Sequence, residues 1–169
     1  MRLVSSKCIC AVAAIILIIA ATVAFLFCPK TYLTLRDEHG SVYARYPMEE
    51  GDRFSISFIH SVNQYPLTDT FEICDGHIFV EECEYCSFGA GVQTELNPGE
   101  TMEYVYIDKY GYQGKAMVIR NIHQNRDNVR YNVGTVSDHY LTVNGKEISL
   151  RDLCGKNAAV YFNYEHFRF

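Results

Sequence analysis

The sequence predicts an all-β fold, a small antiparallel barrel or sandwich of short strands, preceded by one N-terminal transmembrane helix. Three observations point there. One uncharged apolar run opens the chain, and no long amphipathic helix follows it. Short strand-like runs then recur at near-regular spacing between turn signals. Aromatic residues are plentiful but of two kinds only, Tyr 13 and Phe 10 with Trp 0, and both kinds suit half-buried pleated surfaces.

The opening run extends from Cys8 to Cys28, with Arg2 and Lys7 before it and Lys30 after it. At a rise of about 1.5 Å per residue it is long enough to cross a hydrocarbon core of about 30 Å. It reads as an uncleaved anchor through residues 8–28. A signal peptide cleaved after Thr22-Val23-Ala24 is one alternative, but its apolar part is ordinarily shorter. A lipidated Cys28 is another, opposed by the bulk of Phe25-Leu26-Phe27. The two early basic residues place the N-terminus in the cytoplasm. The expected division is residues 1–30 as cytoplasmic N-terminus and anchor and 31–169 as an extracytoplasmic β-domain, single-pass in the plasma membrane. All 20 acidic residues fall after the anchor, in a chain of net charge −5. Such a domain lacks the basic patch that a nucleic-acid partner requires.

The strands follow in order. Tyr32–Leu35 and Val42–Tyr46 flank Asp37-Glu38-His39-Gly40, a hairpin signal. Arg53–His60 alternates as a strand. Thr70–Cys74 and His77–Glu81 flank Asp75-Gly76, which favours a type I′ turn. In that register Cys74 faces His77, Ile73 faces Ile78 and Phe71 faces Val80, apolar against apolar. Asn144-Gly145 gives a second hairpin, with Val143 facing Lys146, Leu141 facing Ile148 and His139 facing Leu150. Tyr104–Ile107, Ala116–Ile122, Val129–Val133 and Ala158–Tyr164 complete the strands. Pro98-Gly99 and Gly111–Gly114 mark loops, and Ser149–Leu153 suits one helical turn.

Of the seven cysteines, Cys8, Cys10 and Cys28 lie in the apolar run. Cys74, Cys83, Cys86 and Cys154 lie beyond it, where an oxidising compartment allows disulfides in three full pairings. Cys83-Glu84-Tyr85-Cys86 has CxxC spacing. It follows a strand rather than opening a helix, and no second pair of ligands accompanies it, so buried or incidental thiols are the expectation. No histidine spacing marks a metal site, and no cofactor is expected.

Candidate function rests on six residues. Along Arg53–Ser61, Phe54, Ile56, Phe58 and His60 share one face. His60 ends that inward row, and His139 stands in register with Leu141 and Val143. Histidines in those positions lie where a pocket mouth would be. Ser61 follows His60 but points to the opposite face if the strand continues, which opposes a Ser–His dyad. Asp69 approaches His60 if the strands flanking Ser61–Thr68 pair. Gly89 and Gly91, in Ser87-Phe88-Gly89-Ala90-Gly91, permit positive φ and leave amides open to an anion. The alternative for each histidine is a structural core-edge role, and for the glycines a tight bend.

The stretch Phe54-Ser55-Ile56-Ser57-Phe58-Ile59-His60-Ser61-Val62, with Pro66 and Phe71 following, resembles a family known as DUF1850, a domain of unknown function. The resemblance continues through Ser87-Phe88-Gly89-Ala90-Gly91, Tyr131-Asn132-Val133-Gly134, and His139 with Leu141 and Gly145, over roughly residues 33–154. Gln93 departs from it, since the family's loop holds a proline nearby. The resemblance implies an N-terminal hydrophobic segment and a genomic setting beside TRAP-type solute transporters of the TAXI class. It carries over no catalytic residues. The function expected is therefore a binding or accessory module for a TRAP/TAXI-type transporter or its small solute, not an enzyme. The alternatives are a structural envelope protein without ligand and a His60-dependent hydrolase.

Overall fold

The computed structural model describes residues 14–19, 30–61, 63–87, 93 and 95–167. The chain forms two compact units, Met1–Thr31 with His166–Phe169, and Tyr32–Glu165. In the first, residues 14–19 are helical. The rest of the apolar run at 8–28 lies outside the described residues, among which no helix is long and apolar enough to cross a membrane.

Among the described residues eleven strands run in chain order: β1 Lys30–Arg36, β2 Val42–Pro47, β3 Arg53–Ile59, β4 Pro66–Cys74, β5 His77–Tyr85, β6 Thr101–Lys109, β7 Tyr112–Asn125, β8 Val129–Asn132, β9 His139–Val143, β10 Lys146–Ser149 and β11 Ala159–Phe167. Helix α1, Leu150–Cys154, follows β10. The strands make a four-stranded sheet, β2-β1-β11-β8, and a seven-stranded sheet, β10-β9-β3-β4-β5-β7-β6. Every register resolved between neighbours is antiparallel.

The barrel expectation is corrected: among the described residues neither sheet closes on itself, and the two sheets face each other across one core. Strand β10 ends after four residues because Ser149 turns the chain into α1 by capping it, its hydroxyl accepting from Asp152 N–H. No ladder joins β10 to β6. Only the tip of the β6–β7 hairpin reaches the far edge. There the Tyr110 hydroxyl donates to Glu147 Oε2 at 2.7 Å, and its ring stacks on Tyr140 at 5.1 Å.

The shared core sets Leu33, Leu35, Val160 and Phe162 of the small sheet against Phe54, Ile56, Phe71, Ile73, Leu141 and Val143 of the large one. Phe54 stacks on Phe71 at 4.9 Å and on Phe162 at 6.0 Å. Each such side chain contributes about 1.5–3 kcal/mol by leaving water.

Both Asx-Gly hairpins form as read. Asp75-Gly76 and Asn144-Gly145 have positive φ at both positions, as a type I′ turn requires. The pairs Cys74–His77, Ile73–Ile78, Phe71–Val80, Val143–Lys146 and Leu141–Ile148 are present. The pairing of His139 with Leu150 is not. The β9–β10 ladder ends at Ser149 opposite Tyr140, Leu150 begins α1, and His139 pairs with Phe58 of β3. A third turn of the same kind, Tyr110-Gly111, has φ 52° and 80°. It starts β7 at Tyr112, where the sequence suggests a loop to Gly114.

Strand β5 outruns its expected end at Glu81 through a bulge. Val80 pairs with Phe71 and Glu82 with Thr70, so Glu81 has no opposite residue on β4. On the other side, Val80 pairs with Gln124 and Glu82 with Arg120, which puts residues 121–123 of β7 against Glu81 alone. Asn121 and His123 take positive φ there, and His123 Nδ1 lies 2.6 Å from Glu81 Oε1. A bulge shifts the face parity by one. It turns Cys83 inward, opposite Asp69.

Candidate functional site

The row Leu67, Asp69, Phe71, Ile73 on β4 faces the space between the sheets, so a carboxyl enters an otherwise apolar row. Asp69 Oδ2 accepts the Tyr131 hydroxyl of β8 at 2.5 Å. Burial pushes the Asp69 carboxyl above its ordinary range, opposed by the hydrogen bonds from Tyr131 and Cys83 and by the charge of Arg126. Burial likewise raises Tyr131 and Cys83, and the Asp69 charge adds to both. The strand pairing that the sequence leaves conditional does form, but Asp69 stands opposite Ile56 and Cys83 rather than His60.

His139 is 8% exposed. Its ring stacks on Phe58 at 4.6 Å. The backbone N–H of Gly134 donates to its Nδ1 at 3.3 Å, which assigns the neutral ring's proton to Nε2. Burial holds its pKa below the ordinary value; Asp138 works against that shift and Arg151 adds to it. The loop that delivers it is braced from three sides. Ser137 hydroxyl donates to the Ile59 carbonyl at 3.0 Å. Asp138 accepts from the Ser149 hydroxyl at 2.5 Å and from Arg151 N–H at 3.0 Å. The Arg151 guanidinium donates to the Gly134 carbonyl at 3.1 Å. A Cβ on Gly134 would lie 2.5 Å from the Ser137 carbonyl oxygen, so only glycine permits this approach.

Strand β3 stops at Ile59. His60 N–H donates to the Tyr65 carbonyl, and the His60 carbonyl accepts from Gln64 N–H, both at 2.9 Å. The chain therefore leaves extended geometry before Ser61, so the condition for placing His60 and Ser61 on opposite faces is not met. Both line one cleft of about 420 Å3, together with Asp69, His139, Ser137 and Asn132. Asp69 and Cys83 also border a smaller cleft of about 230 Å3, whose other polar walls include Arg126 and Tyr131.

Four of the six expected site residues, His60, Ser61, Asp69 and His139, thus meet at one cleft. Gly89 and Gly91 lie outside the described residues. The Ser87 carbonyl, two residues before Gly89 in the chain, accepts from Asn63 at 3.3 Å. Tyr131, Gly134, Ser137, Asp138 and Arg151 carry the site's geometry without having been singled out by sequence. Tyr131 and Gly134 did stand in a quoted motif, but nothing in it marked their partners.

Cys74, Cys83, Cys86 and Cys154 are all free thiols. The CxxC pair is split by the strand, with Cys83 inside β5 and Cys86 beyond its end. Burial raises the pKa of both, which disfavours the reactive thiolate. Among the described residues, no three His, Cys, Asp or Glu side chains are grouped as metal ligands would be.

These features define a two-sheet antiparallel β-protein with a polar cleft at one end of its core. A family profile described as Domain of unknown function (DUF1850) matches residues 54–150, a span that reaches from β3 to the start of α1. The chain belongs to this family. No curated protein and no solved structure matches it.

Proposed function

We propose that this chain is a solute-binding accessory module on the outer face of the membrane, acting with a TRAP/TAXI-type transporter. The observation that carries the reading is the convergence of His60, Ser61, Asp69 and His139 on one cleft of about 420 Å3, a volume suited to a small solute. The Nε2–H of His139, the Ser61 hydroxyl and the Asn132 amide supply donors for a polar ligand. Residues 8–28 supply the anchor, and the resemblance to DUF1850 supplies the transporter setting. Binding fits this site better than catalysis, because burial raises the Cys83 thiol's pKa and disfavours its nucleophilic thiolate.

The test has two arms. The full-length protein, cross-linked in its own membrane and purified in detergent, should bring down a TRAP-type permease or its solute-binding subunit. Thermal melts against amino acids, small dicarboxylates and sugars should show one class that raises Tm. A ligand at a hundredfold excess over Kd stabilises by about 2.7 kcal/mol, and His139→Ala should abolish that gain. Recovery of no transporter component, with no Tm shift from any of these solutes, would refute the proposal.

A further inference from the structure

The outer face of the seven-stranded sheet, on the side away from the core, carries an unusual floor. Ser55 and Ser57 of β3, Thr68 and Thr70 of β4, and Thr142 of β9 all point there. Strand registers set them side by side: Thr142 beside Ser55 beside Thr70, and Ser57 beside Thr68. Ser57 and Thr68 are 5% and 7% exposed although they lie outside both apolar clusters. Their hydroxyls bond each other at 3.0 Å.

They are covered because the β6–β7 hairpin bends over this face. Its tip residue Tyr110 holds the opposite edge through Glu147 and Tyr140. Tyr110 does so from a left-handed backbone, φ 52°, a conformation that costs a non-glycine residue energy. Beneath the hairpin lie two adjoining spaces of about 430 and 380 Å3, which share Ser55, Thr68 and Lys109.

We propose that this roofed groove is a second binding site, separate from the His60–His139 cleft, for a neutral polyhydroxyl ligand such as a monosaccharide or cyclitol. Each hydroxyl of the floor can both donate and accept, as those of a polyol do, and Ser55, Thr70 and Thr142 flank the bonded Ser57–Thr68 pair. The charges at the rim argue against an anion. The cations Lys109 and Arg120 are already paired, with Glu84 at 2.8 Å and with Glu82 and Glu103 at 2.5 and 2.7 Å. The carboxylates Asp108 and Glu147 add negative charge. Carboxylates accept from sugar hydroxyls and repel phosphate and carboxylate anions.

The experiment is titration calorimetry on the full-length protein with D-glucose, D-galactose and myo-inositol. Citrate and putrescine serve as charged controls. At least one polyol should bind, and citrate should not. Thr70→Val, which keeps shape and removes one hydroxyl, should weaken that binding about tenfold. Tyr110→Phe, which frees the roof from Glu147, should weaken it as well. His139→Ala should leave it unchanged, so failure of the cleft reading and failure of this one are separable. Three results would overturn the proposal: no heat from any polyol, putrescine or citrate binding more tightly than the best polyol, or polyol binding indifferent to a Ser55→Ala, Thr70→Val double variant.

Discussion

Asp69 sits between Leu67 and Phe71 on an inward row, and both neighbours are buried. Tyr131 and Cys83 solvate its carboxylate with neutral donors and cannot balance its charge. Its folded pKa is raised, so its favourable contribution is complete below the ordinary carboxylate value and is lost as pH rises through the folded one. Asp69→Asn keeps an acceptor for the Tyr131 hydroxyl and removes the charge. Its Tm at pH 7 should equal or exceed that of the wild type, and the gain should shrink by pH 4. Asp69→Ala strands the Tyr131 hydroxyl and should cost about 1–3 kcal/mol at pH 4 in urea melts, and less at pH 7, where it also removes a buried charge. His139 behaves in the opposite sense. Its pKa is depressed by burial, so stability is complete above about pH 6.5 and falls as pH drops through the folded value. An NMR titration of its ring should give a midpoint below 6.5; a midpoint at or above that value would contradict the buried, Gly134-bonded ring.

At the scale of elements, one short loop and one five-residue helix hold His139 in place. Gly134→Ala forces a Cβ into the Ser137 carbonyl at 2.5 Å. Overpacking of this kind costs about 1–3 kcal/mol, and the shifted loop should raise the His139 midpoint toward its ordinary value. Ser149→Ala removes both the cap on Asp152 N–H and the hydrogen bond to Asp138. It should cost about 1–2 kcal/mol, read as a lower urea midpoint with an unchanged slope. These elements also show what sequence could convey. The Asp-Gly and Asn-Gly turns were legible with their registers, because turn chemistry and face alternation are local. The helical turn expected over Ser149–Leu153 was legible and forms as α1, although the Ser149 cap that starts it was not singled out. The bulge at Glu81 was not: it depends on three residues of β7 accommodating one of β5, a long-range match with no local signature. So Cys83 gave no sign of facing inward. His60 and Ser61 were legible as neighbours of a pocket, but alternation assigned them to different faces because nothing local marks where β3 stops.

Across the whole molecule, side chains do what backbone pairing leaves undone. Alternating charges run over the outer face of the large sheet, from Glu72 to Arg53 to Glu82 to Arg120 to Glu103. Glu82 is the shared member. Glu82→Gln should lower stability by about 1 kcal/mol at low salt, and the difference should narrow in 1 M NaCl, where screening acts within about 3 Å. The all-β architecture of short antiparallel strands was legible from strand spacing and turn signals. The choice between a closed barrel and two sheets was not, since it turns on where β10 ends and on how far the β6–β7 hairpin bends.

The order of strands in the large sheet also dictates a history. Hairpins β3–β4, β4–β5 and β6–β7 join neighbours in the chain, whereas β9 must return from about eighty residues away to lie against β3. His60 follows a strand that pairs with its chain neighbour, whereas His139 belongs to the strand that makes the long-range pairing. A polypeptide cut short before Asp138, or one still emerging from the ribosome, can zip its first hairpins and yet possess only half of the cleft. The walls of the cleft are therefore complete only once β9 lies against β3.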